Sequence, residues 1–223
     1  MNVSHLPDWA VKRGRYINHF THVEASKTAV LNIDMQNIFM APGQIYGNPH
    51  AMDIVDNVNR LTAACREAGA RVVWTRQTYS HDPVLTMPAW QYDRTDPTVI
   101  AAIAALEAGT PAQALHPAMQ VQPSDVQYDK YRYSAFLSPD MALKPMLDGF
   151  GVDTLIVTGT LTNCCCESTA RDGNLLGFRV FFISDATAAV TDEEHNAALL
   201  NLRLMFADVR TTDEMLALLA TSQ

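Results

Sequence analysis

Short apolar runs alternate along the chain with longer stretches in which apolar residues recur every three or four positions. The first run, Lys27 to Asp34 (KTAVLNID), is rich in β-branched residues, which predicts a strand buried on both faces and ending at an acid. From Asp53 to Ala68, residues Ile54, Val55, Val58, Leu61, Ala64 and Cys65 keep helical spacing, and Gly69 follows as the stop. Arg71 to Thr75 reads as a second strand. The pattern then dissolves: residues 78 to 124 carry prolines at 83, 88, 97, 111, 117 and 123 around one Ala-rich helix, Thr98 to Ala108. So long an excursion predicts a cover over one end of the sheet. Beyond it the alternation resumes, with strands at Asp125 to Tyr128, Thr154 to Gly159, Arg179 to Ser184 and Asp208 to Thr211. Helices are predicted at Met141 to Phe150, Cys165 to Leu176, Asp192 to Phe206 and Asp213 to Ala220. This is the pattern of a three-layer α/β fold with a six-stranded parallel sheet and helices on both faces. The first 26 residues are polar and aperiodic, with Trp9, Tyr16 and Phe20 as anchors, and read as an arm packed on the body or on another subunit. No repeat or linker interrupts the chain, so one domain over residues 1–223 is expected.

Composition narrows the function classes. Of the 223 residues, 48% are hydrophobic and 18% charged, which excludes a disordered chain and a coiled coil. The net charge of −8, without a basic run, makes a poor counterion for phosphate, so nucleic acid is not an expected partner. No apolar stretch approaches the ~18 residues of a membrane span, and the N-terminus has no apolar export signal. Cys164, Cys165 and Cys166 are adjacent and Cys65 falls in a helix, so the four cysteines form no disulfide framework and a reducing cytoplasm is expected.

In an open parallel sheet, ligands bind beyond the carboxyl ends of the strands, where strand order reverses. Three polar features fall at such ends: Asp34, Lys130, and the cysteines after the fourth strand. A strand-terminal Asp is by itself a turn acid or helix cap as readily as a base, and a lone Lys is a surface residue. Pressed together in a crevice, the carboxylate can take a proton, and the ammonium can hold a carboxylate or lower a thiol's pKa. A cysteine at the first turn of a helix gains the same lowering from the helix N-terminus, whose N–H groups also suit an oxyanion. Successive helical residues point ~100° apart, so at most one of the three cysteines faces the crevice and the others pack. G-x-G-x-x-G, a P-loop, paired Cys-x-x-Cys and G-x-S-x-G are absent, which argues against dinucleotides, nucleoside triphosphates, a zinc ribbon and a serine hydrolase. His81, His116 and His195 read as structural or solvated.

The segments LNIDMQNIF, YDKYRYSAF, GTLTNCCCESTARDG and ISDAT, in this order, resemble the isochorismatase-like cysteine hydrolases. That family includes nicotinamidases, N-carbamoylsarcosine amidase, ureidoacrylate amidohydrolase and biuret hydrolase. The resemblance runs from about Lys27 to the end and implies strand order 3-2-1-4-5-6, with Asp34, Lys130 and Cys165 as the catalytic set. The family spacing T-N-x-C-x-E selects the middle cysteine. It also implies a cis peptide at Thr160–Leu161 and an oxyanion hole from the backbone N–H groups of Leu161 and Cys165. Nicotinamidases carry an Asp and two His as metal ligands in the excursion, and no such set is visible between Thr78 and Pro123, so no metal or other cofactor is expected. The motifs look closest to the ureidoacrylate and biuret type. They imply a cysteine-dependent amidohydrolase acting on a small linear ureido or carbamoyl amide, and a homo-oligomer, dimer or tetramer. Gln36, Asn37, Phe39 and Tyr46 are expected in the substrate pocket from their place beyond the first strand. The alternatives are a vinyl ether hydrolase, whose family members generally lack the cysteine, an aromatic amide hydrolase, and a redox-sensing binding module.

Overall fold

The computed structural model describes residues 1–221. Its centre is Thr28–Ile33 (β1), where every residue is buried, the burial that the uninterrupted apolar run requires. Arg71–Gln77 (β2) and Val126–Lys130 (β3) lie to one side of it, and Thr154–Thr160 (β4), Arg179–Ala188 (β5) and Asp208–Arg210 (β6) to the other. The sheet is parallel throughout, in the order β3-β2-β1-β4-β5-β6. Strand order therefore reverses between β1 and β4, and the crevice at their carboxyl ends is where a ligand is expected.

Eight α-helices occur among the described residues: Asp8–Gly14 (α1), Asn37–Met40 (α2), Val55–Glu67 (α3), Pro97–Ala105 (α4), Leu143–Gly149 (α5), Glu167–Leu175 (α6), Asp192–Asn201 (α7) and Thr212–Thr221 (α8). Alternate strand residues feed two cores. Val30, Trp74, Ile156 and Phe181 meet α3 and α8 on one face. Leu31, Val73, Leu155 and Phe182 meet α5, α6 and α7 on the other.

Several boundaries differ from the sequence reading. The arm is not aperiodic: α1 buries Ala10 and Gly14. Gly14 is needed there, since a Cβ would come within 2.5 Å of the Arg203 carbonyl oxygen. The helix predicted from Cys165 starts instead with a π-helical turn over Thr162–Cys166, and the one predicted to Phe206 ends in another over Leu202–Phe206. β5 continues past Ser184 because, after a register shift, Thr187 and Ala188 pair with Gly159 and Thr160. β3 reaches Lys130, which pairs with Gln77 at the same level of the sheet.

Gly159 is where β4 meets the end of β1. Its φ is +110°, and a Cβ would sit 2.1 Å from the Ile33 carbonyl oxygen, which is backbone and cannot yield. Gly159→Ala is therefore expected to cost about 3 kcal/mol or more, combining overpacking with a disfavoured φ. Chemical denaturation measures it, and a midpoint equal to that of the parent would contradict the close approach.

Candidate active site

β1 delivers Asp34 to the crevice in an unusual backbone state. With φ +49°, Asp34 sits in the left-handed region, which Asp and Asn tolerate better than most residues. Its N–H donates to Thr75 Oγ1 (3.2 Å), and the Thr75 hydroxyl donates back to Asp34 Oδ1 (2.7 Å). The carboxylate is wholly buried, and Lys130 Nζ, equally buried, stands 2.7 Å from Oδ2. Lys130 also donates to Gln77 Oε1 (2.6 Å) and the Arg132 carbonyl (3.1 Å). The ammonium therefore ties the Asp34 carboxylate to the end of β2 and to the loop after β3. Burial opposes the Lys130 ammonium, but Asp34 and Cys165 beside it outweigh that and hold it above the usual lysine range.

β4 delivers the cysteines. The peptide bond Thr160–Leu161 is cis, and the π-turn after it is closed by Cys164 and Cys166 N–H groups donating to the Leu161 carbonyl (3.2 and 3.1 Å). Asn48 Nδ2 donates to Thr160 Oγ1 (3.0 Å), tying the loop after α2 to this turn. Cys165 is buried beside the ion pair. Its hydrogen bond with the Cys164 thiol, burial and the Asp34 carboxylate hold its thiol well above the ordinary range, against the pull of Lys130. At neutral pH it is therefore a protonated thiol that needs a base. Cys166 is fully buried, with Sγ 3.7 Å from the Thr158 carbonyl, and is a packing residue. Cys65, whose thiol burial pushes up to about 12, belongs to the core.

Cys165 and Gln77 open on a cavity of about 360 Å³, within the size range of small-molecule sites. Phe39, Tyr46, Tyr92 and Tyr133 supply aromatic walls, Ile45, Leu106, Leu161 and Val190 aliphatic ones, and Cys164 and Thr160 complete the floor. A wider hollow of about 560 Å³ near Ser168 and Arg171, and another of about 350 Å³ near Arg203 and Asp208, hold no comparable constellation. Chemistry, not volume, singles out the cavity at Cys165.

Of the residues expected in the pocket, Phe39 and Tyr46 line it and Gln36 and Asn37 do not. Gln36 is fully buried and saturated. Its Nε2 donates to the carbonyls of Gln77 (3.0 Å) and Gln113 (2.7 Å), and its Oε1 accepts from Gln77 N (2.7 Å). It clamps the end of β2 to the excursion. Asn37 opens α2 and donates to the Pro111 carbonyl (2.8 Å), outside the cavity. Among the described residues no three His, Cys, Asp or Glu side chains converge as a metal site.

Gln77, Tyr92 and Tyr133 were missed by sequence reading, whereas His195, read as structural or solvated, is structural. His195 is buried, with Nδ1 2.9 Å from Thr162 Oγ1 in the π-turn and Nε2 3.0 Å from Ser4 Oγ in the N-terminal arm. Burial lowers its pKa from 6.5 to about 4. The unfolded chain protonates this His near pH 6.5 and the folded protein only near 4, so acid draws the equilibrium toward unfolding. Stability should decline as pH falls through that window, and His195→Asn should flatten the decline. Melting temperatures across pH 7 to 4 test this; equal slopes in both proteins would contradict it.

A family model described as the isochorismatase domain matches residues 28–214. Nicotinamidase 3 of Arabidopsis thaliana is 35% identical over 188 residues, spanning 84% of this chain and 86% of that protein. Ureidoacrylate amidohydrolase RutB of Methylorubrum extorquens is 32% identical over 200 residues, spanning 82% and 79%. A cysteine hydrolase structure from Pseudomonas syringae pv. phaseolicola aligns with a TM-score of 0.79 at 29% identity, covering 90% of this chain and 96% of that one.

Proposed function

Since the chain belongs to the isochorismatase family, we propose that it is a cysteine-dependent amidohydrolase that releases ammonia from a small linear ureido, carbamoyl or related amide. The observation that carries this reading is the buried ion pair of Asp34 and Lys130 beside Cys165, which itself opens on a cavity of amide size. Asp34 takes the thiol proton on its carboxylate, and the Cys165 sulfur forms a bond to the amide carbonyl carbon. The backbone N–H groups of Leu161 and Cys165 hold the oxyanion. As the C–N bond breaks, the proton on Asp34 passes to the leaving nitrogen and ammonia departs, leaving a thioester. A water that gives its proton to Asp34 attacks that thioester, and the sulfur leaves and recovers a proton. Lys130, paired with Asp34, holds the carboxylate in place between steps.

The ureido and carbamoyl preference rests on the YDKYRYSAF and CESTARDG motifs and on likeness to the protein named ureidoacrylate amidohydrolase. A second reading, an aromatic amide, is favoured by the four rings of the cavity and by likeness to the protein named nicotinamidase. Both keep Cys165 as nucleophile, whereas a vinyl ether hydrolase of this family generally lacks that cysteine and a redox module has no use for Asp34 and Lys130. An ammonia-release assay over ureido acids, biuret, carbamoyl compounds and aromatic amides, with and without EDTA, tests the reading. Turnover of one amide class, unaffected by chelator, is expected. Silence over the whole panel would count against an amidohydrolase, and chelator-sensitive activity against the metal-independent form of it.

A further inference from the structure

The cavity at Cys165 contains no Lys, Arg, His, Asp or Glu among its lining residues. The nearby charged groups are engaged elsewhere. The Lys130 ammonium is neutralised by Asp34 and donates to Gln77 and Arg132. Arg132 turns its guanidinium to the carbonyls of Leu85 (2.9 Å) and Tyr131 (2.7 Å) and lines the other hollow. Arg94 donates to the Met87 carbonyl (3.3 Å), and His81 pairs with Glu107 (2.9 Å).

The polar groups that do face the cavity are neutral. The hydroxyls of Tyr92 and Tyr133 lie 3.3 Å apart, and burial with that contact holds the Tyr92 phenol above its usual range. Such a pair can hydrogen-bond a carbonyl, an ester or a ring nitrogen. It offers no countercharge, and a carboxylate stripped of water without one is strongly disfavoured.

Resting on the amidohydrolase reading above, we propose that the cavity takes amides whose non-reacting end is uncharged and rejects those that carry a carboxylate there. The specificity arises from the absence of a cation among Phe39, Tyr46, Tyr92, Tyr133 and Val190, a form of discrimination by an unpaired charge.

Two matched pairs test it: succinamic acid against methyl succinamate, and terephthalamic acid against its methyl ester. The esters are expected to release ammonia with kcat/KM at least about 100-fold above the acids. Val190 is 44% exposed at the rim, so Val190→Arg is tolerated by the fold and supplies the missing cation. In that variant the acids should gain about 10-fold or more relative to the esters. Calorimetry on Cys165→Ala reads binding without turnover and should detect the esters and not the acids. Acids turned over as well as their esters would overturn the charge preference and leave the amidohydrolase reading standing. Ammonia from none of the four would count against that reading, and calorimetry would still decide the preference: ester binding alone supports it, while acid binding or no binding overturns it.

Discussion

Cys165→Ala is expected to reduce turnover by about 10⁴-fold or more, because the sulfur that bonds the substrate carbon is gone and no neighbour replaces it. Cys165→Ser should be as inactive, since a hydroxyl is harder to ionise than a thiol already held above its ordinary range by Cys164, burial and Asp34. Both side chains fit the space, so the melting temperature should move by only a few degrees. Cys166→Ala and Cys164→Ala should keep most of the activity: Cys166 is wholly buried against Thr158, and Cys164 only borders the cavity. The assay is ammonia release on whichever amide the panel identifies. An inactive Cys164→Ala beside an active Cys165→Ala would move the nucleophile by one residue and break the register on which the site is built.

Asp34→Asn should lower kcat by about 10²-fold or more, because one carboxylate serves both the thiol and the leaving nitrogen. It should also lower stability, since it removes half of a fully buried ion pair 2.7 Å apart and leaves Lys130 with only Gln77 and the Arg132 carbonyl. Breaking such a pair from one side costs about 3–5 kcal/mol. The double variant Asp34→Asn with Lys130→Met separates the two effects. Removing the stranded ammonium should restore much of the melting temperature, while activity stays lost. Recovery of activity along with stability would mean that Asp34 serves folding and not proton transfer.

The sheet was legible in the chain because each central strand is buried on both faces and so written as an unbroken apolar run. Asp34, Lys130 and the cysteines drew notice as polar features at strand ends, and the choice of Cys165 among the three rested on the family spacing T-N-x-C-x-E. What escaped reading has equally physical causes. A π-turn shifts the hydrogen bond by one residue but barely changes the apolar spacing, so Thr162–Cys166 and Leu202–Phe206 read as ordinary helix. The positive φ of Asp34 redirects the chain that follows, and the strand's two-residue period no longer says where Gln36 and Asn37 point. Gln77 was missed by ending the second strand at Thr75, two residues short of the level of Lys130. Tyr92 belongs to a proline-rich segment with no period to read. His195 was read as structural or solvated, but its partners, Ser4 and Thr162, lie 191 and 33 residues away and only the fold shows them.

The thioester is the intermediate on which every assigned role converges. Acid quench of the enzyme during steady-state turnover, followed by peptide mass spectrometry across residues 158–172, looks for it directly. An acyl group of the substrate's mass on Cys165, absent from Cys165→Ala and more abundant when the quench precedes substrate exhaustion, is the predicted result. Turnover with no adduct on any cysteine, or an adduct on Cys164 or Cys166 with Cys165 unmodified, would contradict the account.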